Sequence, residues 1–284
     1  FVELEKGDKE AMNSYWKDNV YYFSSEKQRP PVPPLNLIRG WFYRFQYSCD
    51  ERRYNFHIDD WYDTALDRFV LNLHNKEKFD SVIVEYVFLS KILLNFGENV
   101  LKVLDTHDVF TNRFEMYLEH NLKPQWFSTY AKEEAKALDR ADVAIAIQQH
   151  EREYFSSLSQ KKIVQVGHIP ASCAEPNDTF GRKILFVASP NPINVDALHF
   201  FADAVLTKLK KKYPDVKLVV AGKLCNLIEE RDDITLLGEF DDQQKIYRDA
   251  DIVVNPVRMG TGLNIKTIEA LSYGKPLVAS RAGT

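Results

Sequence analysis

The chain has 284 residues, of which 45% are hydrophobic and 27% are charged, and its formal net charge is −4. This length allows two domains, each with a core of its own. The composition excludes a disordered chain, and the charge excludes a generally basic protein that binds nucleic acid over its whole surface. Any anion-binding site must therefore be local.

Short apolar runs rich in Val, Ile and Leu recur along the chain and predict β-strands. The runs are continuous rather than alternating, which is typical of parallel strands buried on both faces. Amphipathic helical stretches lie between them, so the sequence predicts an α/β fold with doubly wound sheets. Both ends of the sequence stop at such elements, and we expect it to be incomplete at each end. The predicted strands are 1–5, 82–84, 101–104, 143–147, 163–166, 184–188, 218–221, 234–237, 252–255 and 277–279.

The stretch 166–182 is polar and rich in turn-forming residues, and it separates two series of strands and helices. We therefore predict a first domain at 1–168 and a second domain at 169–284, each Rossmann-like. The proline-rich stretch 24–34 is predicted to be a connecting loop, because proline lacks the donor that helices and central strands need. A role as a ligand for an SH3-type domain is the alternative.

The carboxyl ends of parallel strands are the ligand-binding edge of an open sheet, next to helix N-termini. After the strand at 101–104, His107 is predicted to lie at this edge of the first domain, where Asp105 and Asp108 either orient it or cap the turn. After the strand at 184–188, Asn191 is predicted to cap a long helix that begins with proline.

The run RMGTGLNIKTIEA follows the strand at 252–255 and has the features of an anion site. Gly260 and Gly262 let the backbone approach a ligand closely, and Arg258 and Lys266 can neutralise phosphate charge. Glu269 lies seven residues beyond Gly262, about 10 Å farther along a helix axis, which suits a ribose whose diphosphate is held at the helix N-terminus. The run therefore predicts a cradle for a nucleoside diphosphate.

Simpler interpretations of these residues stay open. The two glycines can be turn residues, and Lys266 with Glu269 can be an exposed helix pair. The letters DAD at 249–251 have the form of a metal-binding motif, but they end a helix and enter a strand, so solvated acids at a helix end are the favoured interpretation.

The run NPVRMGTGLNIKTIEALSYGKPLVAS resembles the donor-binding motif of glycosyltransferase family 4, the retaining GT-B enzymes, in the branch with the pattern R-x-G-x-G-x-x-x-K-x-x-E-A. The runs ASPNPINVDALHFFADAVL, ITLLGEFDDQQKIYRDADIVVNP and VLDTHDVF look like other segments of that branch, so the resemblance covers about residues 79–284. It implies a GT-B fold, in which two Rossmann-like domains face a central cleft and the second domain holds a nucleotide-sugar.

The resemblance also implies roles for individual residues. Glu269 would hold the ribose, and His107 would approach the transferring sugar or its phosphate. Lys266 and Arg258, counted with His107 as catalytic, would act on the diphosphate. The other implied donor-binding residues are Gly260, Thr261, Gly262 and Leu263 in the turn, Asn191 and Lys223 beside it, and Glu239 and Phe240 near the base.

Two positions depart from the family's pattern. Thr261 stands where the family has the first acid of an E-x7-E pair, which puts the identity of the sugar in doubt. The arginine and lysine that commonly follow the first strand of the second domain are replaced by SPNPIN, so Arg258, Lys223 and Lys266 would supply the charge instead.

The resemblance implies a metal-independent, retaining hexosyltransferase without a cofactor. It would move a sugar from a nucleotide-diphosphate donor to a saccharide or lipid-linked saccharide acceptor in surface polysaccharide or glycoconjugate synthesis, with no nucleic-acid partner. Cys49, Cys173 and Cys225 form no CxxC pair, and no apolar stretch has the length of a membrane span. We therefore expect a cytoplasmic protein, with peripheral contact to the inner membrane face as an added possibility.

Two other functions fit the same architecture. A GT-B epimerase of nucleotide-sugars would need acids and bases around the sugar, and the sequence does not identify that set. A non-catalytic nucleotide-sugar-binding module would be consistent with Thr261 at the position of the acid. A nicotinamide dehydrogenase is disfavoured because no strand is followed by its glycine fingerprint.

Overall fold

The computed structural model describes residues 6–23, 54–173, 181–229 and 231–284. The strands in these ranges are β1 (Ser81–Glu85), β2 (Leu101–Asp105), β3 (Val143–Ala146), β4 (Lys162–Gln165), β5 (Lys183–Val187), β6 (Lys217–Ala221), β7 (Ile234–Gly238), β8 (Ile252–Asn255) and β9 (Leu277–Ala279). The α-helices are α1 (Lys6–Trp16), α2 (Ala65–Glu77), α3 (Phe114–Leu118), α4 (Ala131–Leu138), α5 (Gln149–Leu158), α6 (Pro192–Phe200), α7 (Thr207–Lys212), α8 (Gln243–Arg248) and α9 (Ile265–Ser272).

The strands form two separate parallel sheets. The first sheet has the order β1-β2-β3-β4, so its described strands follow one another in space as they do in sequence. The second sheet has the order β7-β6-β5-β8-β9. Its strand order reverses at β5, because β5 pairs with β6 on one side and with β8 on the other. Such a reversal leaves a crevice beyond the carboxyl ends of β5 and β8, which is where open sheets of this type bind ligands.

The core of the first sheet is built across the strands in register. Val84, Leu104, Ala144 and Ile163 are paired neighbours on β1 to β4, and all four are buried in one cluster. A 3₁₀ segment (Val87–Asn95) and several aromatic rings complete this core. Apolar burial is the main stabilising contribution to folding. The burial of this row therefore accounts for the apolar residues that recur in each of the four strand sequences.

The second sheet is covered on both faces. Ile184, Leu218 and Ile234 form a paired row that packs into one cluster with the helices that follow β5. Leu185 and Val253, which are paired across β5 and β8, point into a second cluster that contains Tyr247 of α8. The two clusters show that this sheet is buried on each face, as the sequence predicts.

Helix α6 begins as predicted. Asn191 caps it by accepting a hydrogen bond from the Asn194 backbone N–H at 2.8 Å, and Pro192 is the first helical residue. The helical path continues through a π-helical segment (Phe201–Leu206) into α7. The predicted apolar stripe packs against the second sheet through Val195, Leu198, Phe201, Ala202, Val205, Leu206 and Leu209.

The α/β class and the doubly wound parallel sheets are thus confirmed, and each strand predicted within the described ranges is present. The division at 168/169 falls between β4 and β5 and stays a prediction. The strand predicted at 1–5 and the loop predicted at 24–34 lie outside the described residues. None of the described helices combines the length and the apolar character that a membrane crossing requires.

Candidate functional site

A cleft of about 430 Å³ lies between the two sheets at the carboxyl ends of their strands. Its second-sheet wall is the crevice between β5 and β8, where the turns after both strands meet. Its first-sheet wall comes from residues that follow β1 and β2 and from the loop before α4. The wall residues used below are Tyr86, His107, Asp108, Arg113 and Trp126 on the first side, and Asn191, Thr261, Gly262, Leu263 and Ile265 on the second.

The glycine turn after β8 forms the centre of the second wall. Gly262 has a φ of +75°, and a Cβ atom added there would lie 2.7 Å from Asp108 Oδ1 across the cleft. Any other residue would therefore meet both backbone strain and a steric clash. Gly260 has open space on the side where a Cβ would lie. The turn leads directly into the N-terminus of α9, so backbone N–H groups and the positive end of the helix dipole face the cleft.

Thr261 binds to the opposite wall. The Arg113 Nε donates a hydrogen bond to Thr261 Oγ1 at 3.2 Å, and Arg113 Nη2 lies 3.5 Å from Asp108 Oδ2. Burial raises the pKa of Asp108, and the Arg113 charge opposes that rise. Arg113 therefore links the glycine turn to the first sheet. No motif in the sequence identifies it.

His107 lies on the first wall, as predicted. It has a φ of +60°, and its ring stacks on Tyr86 at a centroid distance of 4.3 Å. Its Nε2 lies 3.8 Å from Glu85 Oε2 and has no hydrogen-bond partner among the described residues. Asp105 accepts from the His107 backbone N–H at 3.4 Å, so that acid contacts the main chain of the histidine. This nitrogen is buried, although 34% of the side chain is exposed, so it is unpaired rather than open to the cleft.

A buried acid lies behind the glycine turn. Glu151 on α5 is fully buried and accepts a hydrogen bond from the Gln148 side-chain amide at 3.2 Å, while its Oε2 has no partner among the described residues. Burial raises the pKa of Glu151 to about 7, and the nearby backbone N–H groups of Ile147 and Gly262 oppose the rise. The sequence gives no sign of this residue beyond its place in a helix after β3.

Lys266 extends from α9 toward the N-terminal end of α6. Its Nζ donates a hydrogen bond to Asn194 Oδ1 at 2.7 Å and lies 5.1 Å from the centre of the Phe186 ring. Burial lowers the pKa of Lys266 to about 8, and the Glu269 charge opposes that fall. Because its polar partner Asn194 is neutral, Lys266 contributes a net positive charge at neutral pH.

Asn194 is a residue that the sequence interpretation missed. It is buried, and its side-chain amide donates to the Ser189 carbonyl oxygen at 2.9 Å. Its backbone N–H donates a hydrogen bond to the side chain of the cap Asn191, and its side-chain Oδ1 accepts one from the Lys266 ammonium. The spacing of two asparagines, one at the cap and one three residues later, is the signal that could have identified it.

Glu269 lies one helical turn beyond Lys266 on α9 and is half-buried. The hydroxyl of Tyr247 donates a hydrogen bond to Glu269 Oε2 at 3.0 Å. The acid is therefore held by a neighbouring helix, whereas an exposed helix pair would have left it in solvent. Neither Lys266 nor Glu269 lines the cleft; the cleft-lining residue of α9 is Ile265, about one helical turn before Glu269.

The other predicted cations are placed differently. Arg258 forms an ion pair with Asp196, with Nε 2.9 Å from Oδ2, and stacks over the Phe200 ring at 5.3 Å. The Lys223 Nζ lies 3.7 Å from Glu239 Oε2, and both side chains are largely exposed. The structure thus pairs each of these cations with an acid outside the cleft lining.

The remaining predicted positions have structural partners. Phe240 packs at the edge of the cluster around Tyr247. In the DAD run, Asp251 accepts from the backbone N–H groups of Gly181 at 2.9 Å and Lys183 at 2.8 Å, which accounts for it structurally. Among the described residues, no group of three or more His, Cys, Asp or Glu side chains could hold a metal ion.

Comparisons with known proteins agree with this geometry. Residues 181–284 match the family model for glycosyl transferases group 1. No curated protein sequence matches the chain significantly. Solved structures that resemble it include S. aureus TarM, at a TM-score of 0.58 and 17% identity over 75% of this chain and 44% of TarM.

Two other similar structures contain ligands. The pneumococcal O-GlcNAc transferase GtfA, in a complex with UDP and GlcNAc, matches at a TM-score of 0.56 and 16% identity over 76% of this chain and 45% of GtfA. Anabaena HepE, in a complex with UDP and glucose, matches at a TM-score of 0.53 and 15% identity over 77% of this chain and 63% of HepE. The chain thus spans less than two thirds of each of these proteins. It shares the GT-B fold of these structures, and the match to the family model is confined to residues 181–284.

Proposed function

We propose that this chain transfers a hexose from a nucleotide-diphosphate donor to an acceptor hydroxyl, with retention at the anomeric carbon and without a metal ion. The observation that carries the proposal is the glycine turn at the strand-order reversal of the second sheet. Gly262 of this turn faces Asp108 across the cleft, where any larger residue would clash. An edge of this kind, with exposed backbone N–H groups and a helix N-terminus, suits a diphosphate.

The donor lies along α9 in this proposal. The backbone N–H of Leu263 and the ammonium of Lys266 bind the diphosphate, the Gly262 N–H stays with Glu151 behind the turn, and Glu269 accepts hydrogen bonds from the ribose hydroxyls. The Lys266 ammonium is held in place by Asn194, so the charge needs little rearrangement when the donor arrives. The base lies farther along the same edge, toward Glu239 and Phe240.

The reaction places new negative charge on the diphosphate. As the bond between the anomeric carbon and the phosphate oxygen breaks, the leaving oxygen gains charge, which Lys266 and the N–H groups of the turn stabilise. The acceptor hydroxyl attacks from the same face, and the leaving phosphate takes its proton. This front-face path gives retention and needs no second carboxylate, so Thr261 at the position of the acid is compatible with it.

His107 faces the sugar end of the donor in this arrangement. Its Nε2 is buried without a hydrogen bond to a described residue, stacking on Tyr86 fixes the plane of the ring, and the exposed part of the side chain lines the cleft. The imidazole can then bind a sugar hydroxyl or a phosphate oxygen as the bond breaks. The acceptor enters against the first wall, where the exposed Trp126 offers an aromatic surface that suits a sugar.

The acceptor in this proposal is a saccharide or a lipid-linked saccharide, and the product enters a surface polysaccharide or a glycoconjugate. Synthesis of this kind uses nucleotide-sugars made in the cytoplasm, so the protein would act there, with peripheral contact to the inner membrane face when the acceptor is lipid-linked.

Incubation with radiolabelled UDP-glucose and UDP-GlcNAc, with and without saccharide acceptors, tests the proposal. Transfer of label, together with slow donor hydrolysis that Glu269→Ala abolishes, is the expected result. Release of an epimerised sugar would instead establish the epimerase. Tight binding of the donor without any turnover would establish a non-catalytic binding module, the alternative raised by Thr261 at the position of the acid.

A further inference from the structure

Glu269 has a partner that no motif predicts. Tyr247 on α8 is fully buried, and its hydroxyl donates a hydrogen bond to Glu269 Oε2 at 3.0 Å. The two residues are 22 positions apart in the sequence and lie on different helices. A buried tyrosine hydroxyl normally needs such a partner, and the partner here is the acid assigned to the ribose.

The tyrosine ring is fixed on several sides. It stacks on Tyr273 at a centroid distance of 4.7 Å with an angle of 12° between the planes. It also packs in one buried cluster with Leu185 of β5 and Ala270 of α9. The hydroxyl of Tyr247 therefore has little freedom to move.

Helix α8, which carries Tyr247, is itself fixed at both ends. Asp242 caps its start by accepting from the Lys245 backbone N–H at 2.9 Å. At its end, the buried Lys275 ammonium donates to the carbonyl oxygens of Arg248 and Ala250, each at 2.9 Å. These bonds satisfy carbonyl groups that the helix leaves free, and they hold α8 against the sheet.

The hydrogen bond commits one carboxylate oxygen and leaves the other available. Oε2 is bound to Tyr247, so Oε1 can accept from the ribose hydroxyls. Burial and the Glu269 charge raise the pKa of Tyr247, which keeps its hydroxyl protonated as a donor at neutral pH. A carboxylate oriented in advance loses less conformational freedom when it binds a hydroxyl.

We propose that Tyr247 is a positioning residue that aims Glu269 Oε1 at the ribose 2′-hydroxyl and thereby makes the site select ribonucleotides over 2′-deoxyribonucleotides. This inference rests on the proposed function, because it requires a nucleoside diphosphate at α9. It gives a role to Tyr247, which lies in the run ITLLGEFDDQQKIYRDADIVVNP and to which the resemblance assigns none.

The test uses the full chain and calorimetry. UDP, GDP and ADP are titrated first, and the one that binds most tightly is then compared with its 2′-deoxy counterpart. We expect the wild-type protein to prefer the ribonucleotide by roughly ten-fold, the effect of one hydrogen bond to a charged group. In Tyr247→Phe we expect the preference to fall to about two-fold.

Two further variants separate positioning from packing. Tyr273→Phe removes a hydroxyl from the same stacked pair and leaves the bond to Glu269 intact, so it should keep the full ribose preference. In a Glu269→Ala background, Tyr247→Phe should cause no further loss of preference, because the tyrosine acts through the acid. Thermal unfolding checks that the tyrosine variants stay folded.

Each result has a separate meaning. If Tyr247→Phe weakens both nucleotides equally and keeps the wild-type preference, the tyrosine only holds the helices together and the positioning role is overturned. If the wild-type protein binds the ribonucleotide and its 2′-deoxy form equally, the selectivity is overturned while the donor site stands. If none of the three nucleotides binds to the wild-type protein, the proposed function itself fails, and this inference fails with it.

Discussion

The two walls of the cleft are built in different ways. The second-sheet wall centres on a backbone turn, in which Gly262 adopts a left-handed conformation just before the chain enters α9. The first-sheet wall is a side-chain surface, in which Tyr86, His107 and Trp126 have φ values of +68°, +60° and +66° although none is a glycine. Each such residue costs about 1 kcal/mol or more in backbone strain, and it persists only where surrounding contacts fix it.

This difference indicates what each wall contributes. A backbone wall can bind a diphosphate in any nucleotide-sugar, because phosphate oxygens need only donors and positive charge. A wall of strained side chains is specific to the groups that it presents. We therefore expect substitutions in the second wall to act on donor binding, and substitutions in the first wall to act on turnover.

The largest effect is expected for Gly262→Ala. The added methyl group would meet Asp108 Oδ1 at 2.7 Å on a backbone with a φ of +75°. We expect kcat/KM to fall by more than about 100-fold and stability to fall by roughly 2 kcal/mol. Donor turnover and thermal unfolding measure these effects. Gly167→Ala, in which the nearest atom lies at 3.4 Å, is the matched control and should behave like the wild-type protein. Full activity in Gly262→Ala would show that the turn need not approach the first wall.

His107→Asn should separate turnover from binding. Asparagine tolerates a left-handed backbone better than most residues, so the variant removes the imidazole and keeps the turn. We expect kcat to fall by about 100-fold, while the dissociation constant of the nucleoside diphosphate changes by less than about three-fold. Steady-state kinetics and calorimetry give the two values. A loss of affinity as large as the loss of kcat would mean that the first wall also binds the donor.

Lys266 should make donor binding depend on pH. Its pKa is lowered from 10.5 to about 8, so the ammonium that binds diphosphate is lost as the pH rises through about 8. We expect affinity to fall by roughly ten-fold between pH 7 and pH 9.5, as titration calorimetry would show. In Lys266→Gln the affinity should be low throughout, and this part of the pH dependence should vanish.

Loss of stability cannot produce the same pH profile through this residue. The unfolded state binds more protons than the folded state between about 8 and 10.5, so Lys266 increases the free energy of unfolding as the pH rises in that window. A wild-type affinity that is flat from pH 7 to pH 9.5 would contradict the assignment of Lys266 to the diphosphate.

The smallest effect is expected for Arg258→Ala. Although the family resemblance assigns Arg258 to the diphosphate, in the structure its charge is balanced by Asp196. We expect donor affinity to change by less than about three-fold, because exposed ion pairs contribute little. Asp196→Asn is the complementary variant, since it frees the arginine. If Arg258→Ala weakens donor binding as much as Lys266→Gln does, the arginine leaves Asp196 when the donor binds, and the role implied by the resemblance is right.

Structural features that are encoded by residues close together in the chain could be predicted from the sequence. The strands were identifiable because both faces of the second sheet are buried, which makes Ile184 and Leu185 adjacent apolar residues. The helix start at Asn191 was identifiable because capping depends on residues three apart. The glycine turn was identifiable because only glycine suits its backbone, so the same letters recur in the family.

Residues that act across long sequence separations could not be predicted. Arg113 meets Thr261 at a separation of 148 positions, and nothing near either residue encodes that contact. Tyr247 reads as an ordinary apolar position of α8 until its hydroxyl is seen against Glu269. Arg258 is the opposite case. Its motif predicts a contact with the ligand, but in the structure its guanidinium is paired with Asp196 on α6.

The hydrogen bond from Arg113 to Thr261 bears on protein engineering. Enzymes with two halves of this kind invite chimeras, in which one half is exchanged to import a new donor preference. Here the imported half would bring its own residue to position 261, and an acid there would meet both Arg113 and Asp108 of the recipient. A working hybrid would therefore need matched residues at positions 108, 113 and 261. The contacts across the cleft, and not only the linker, decide which halves can be combined.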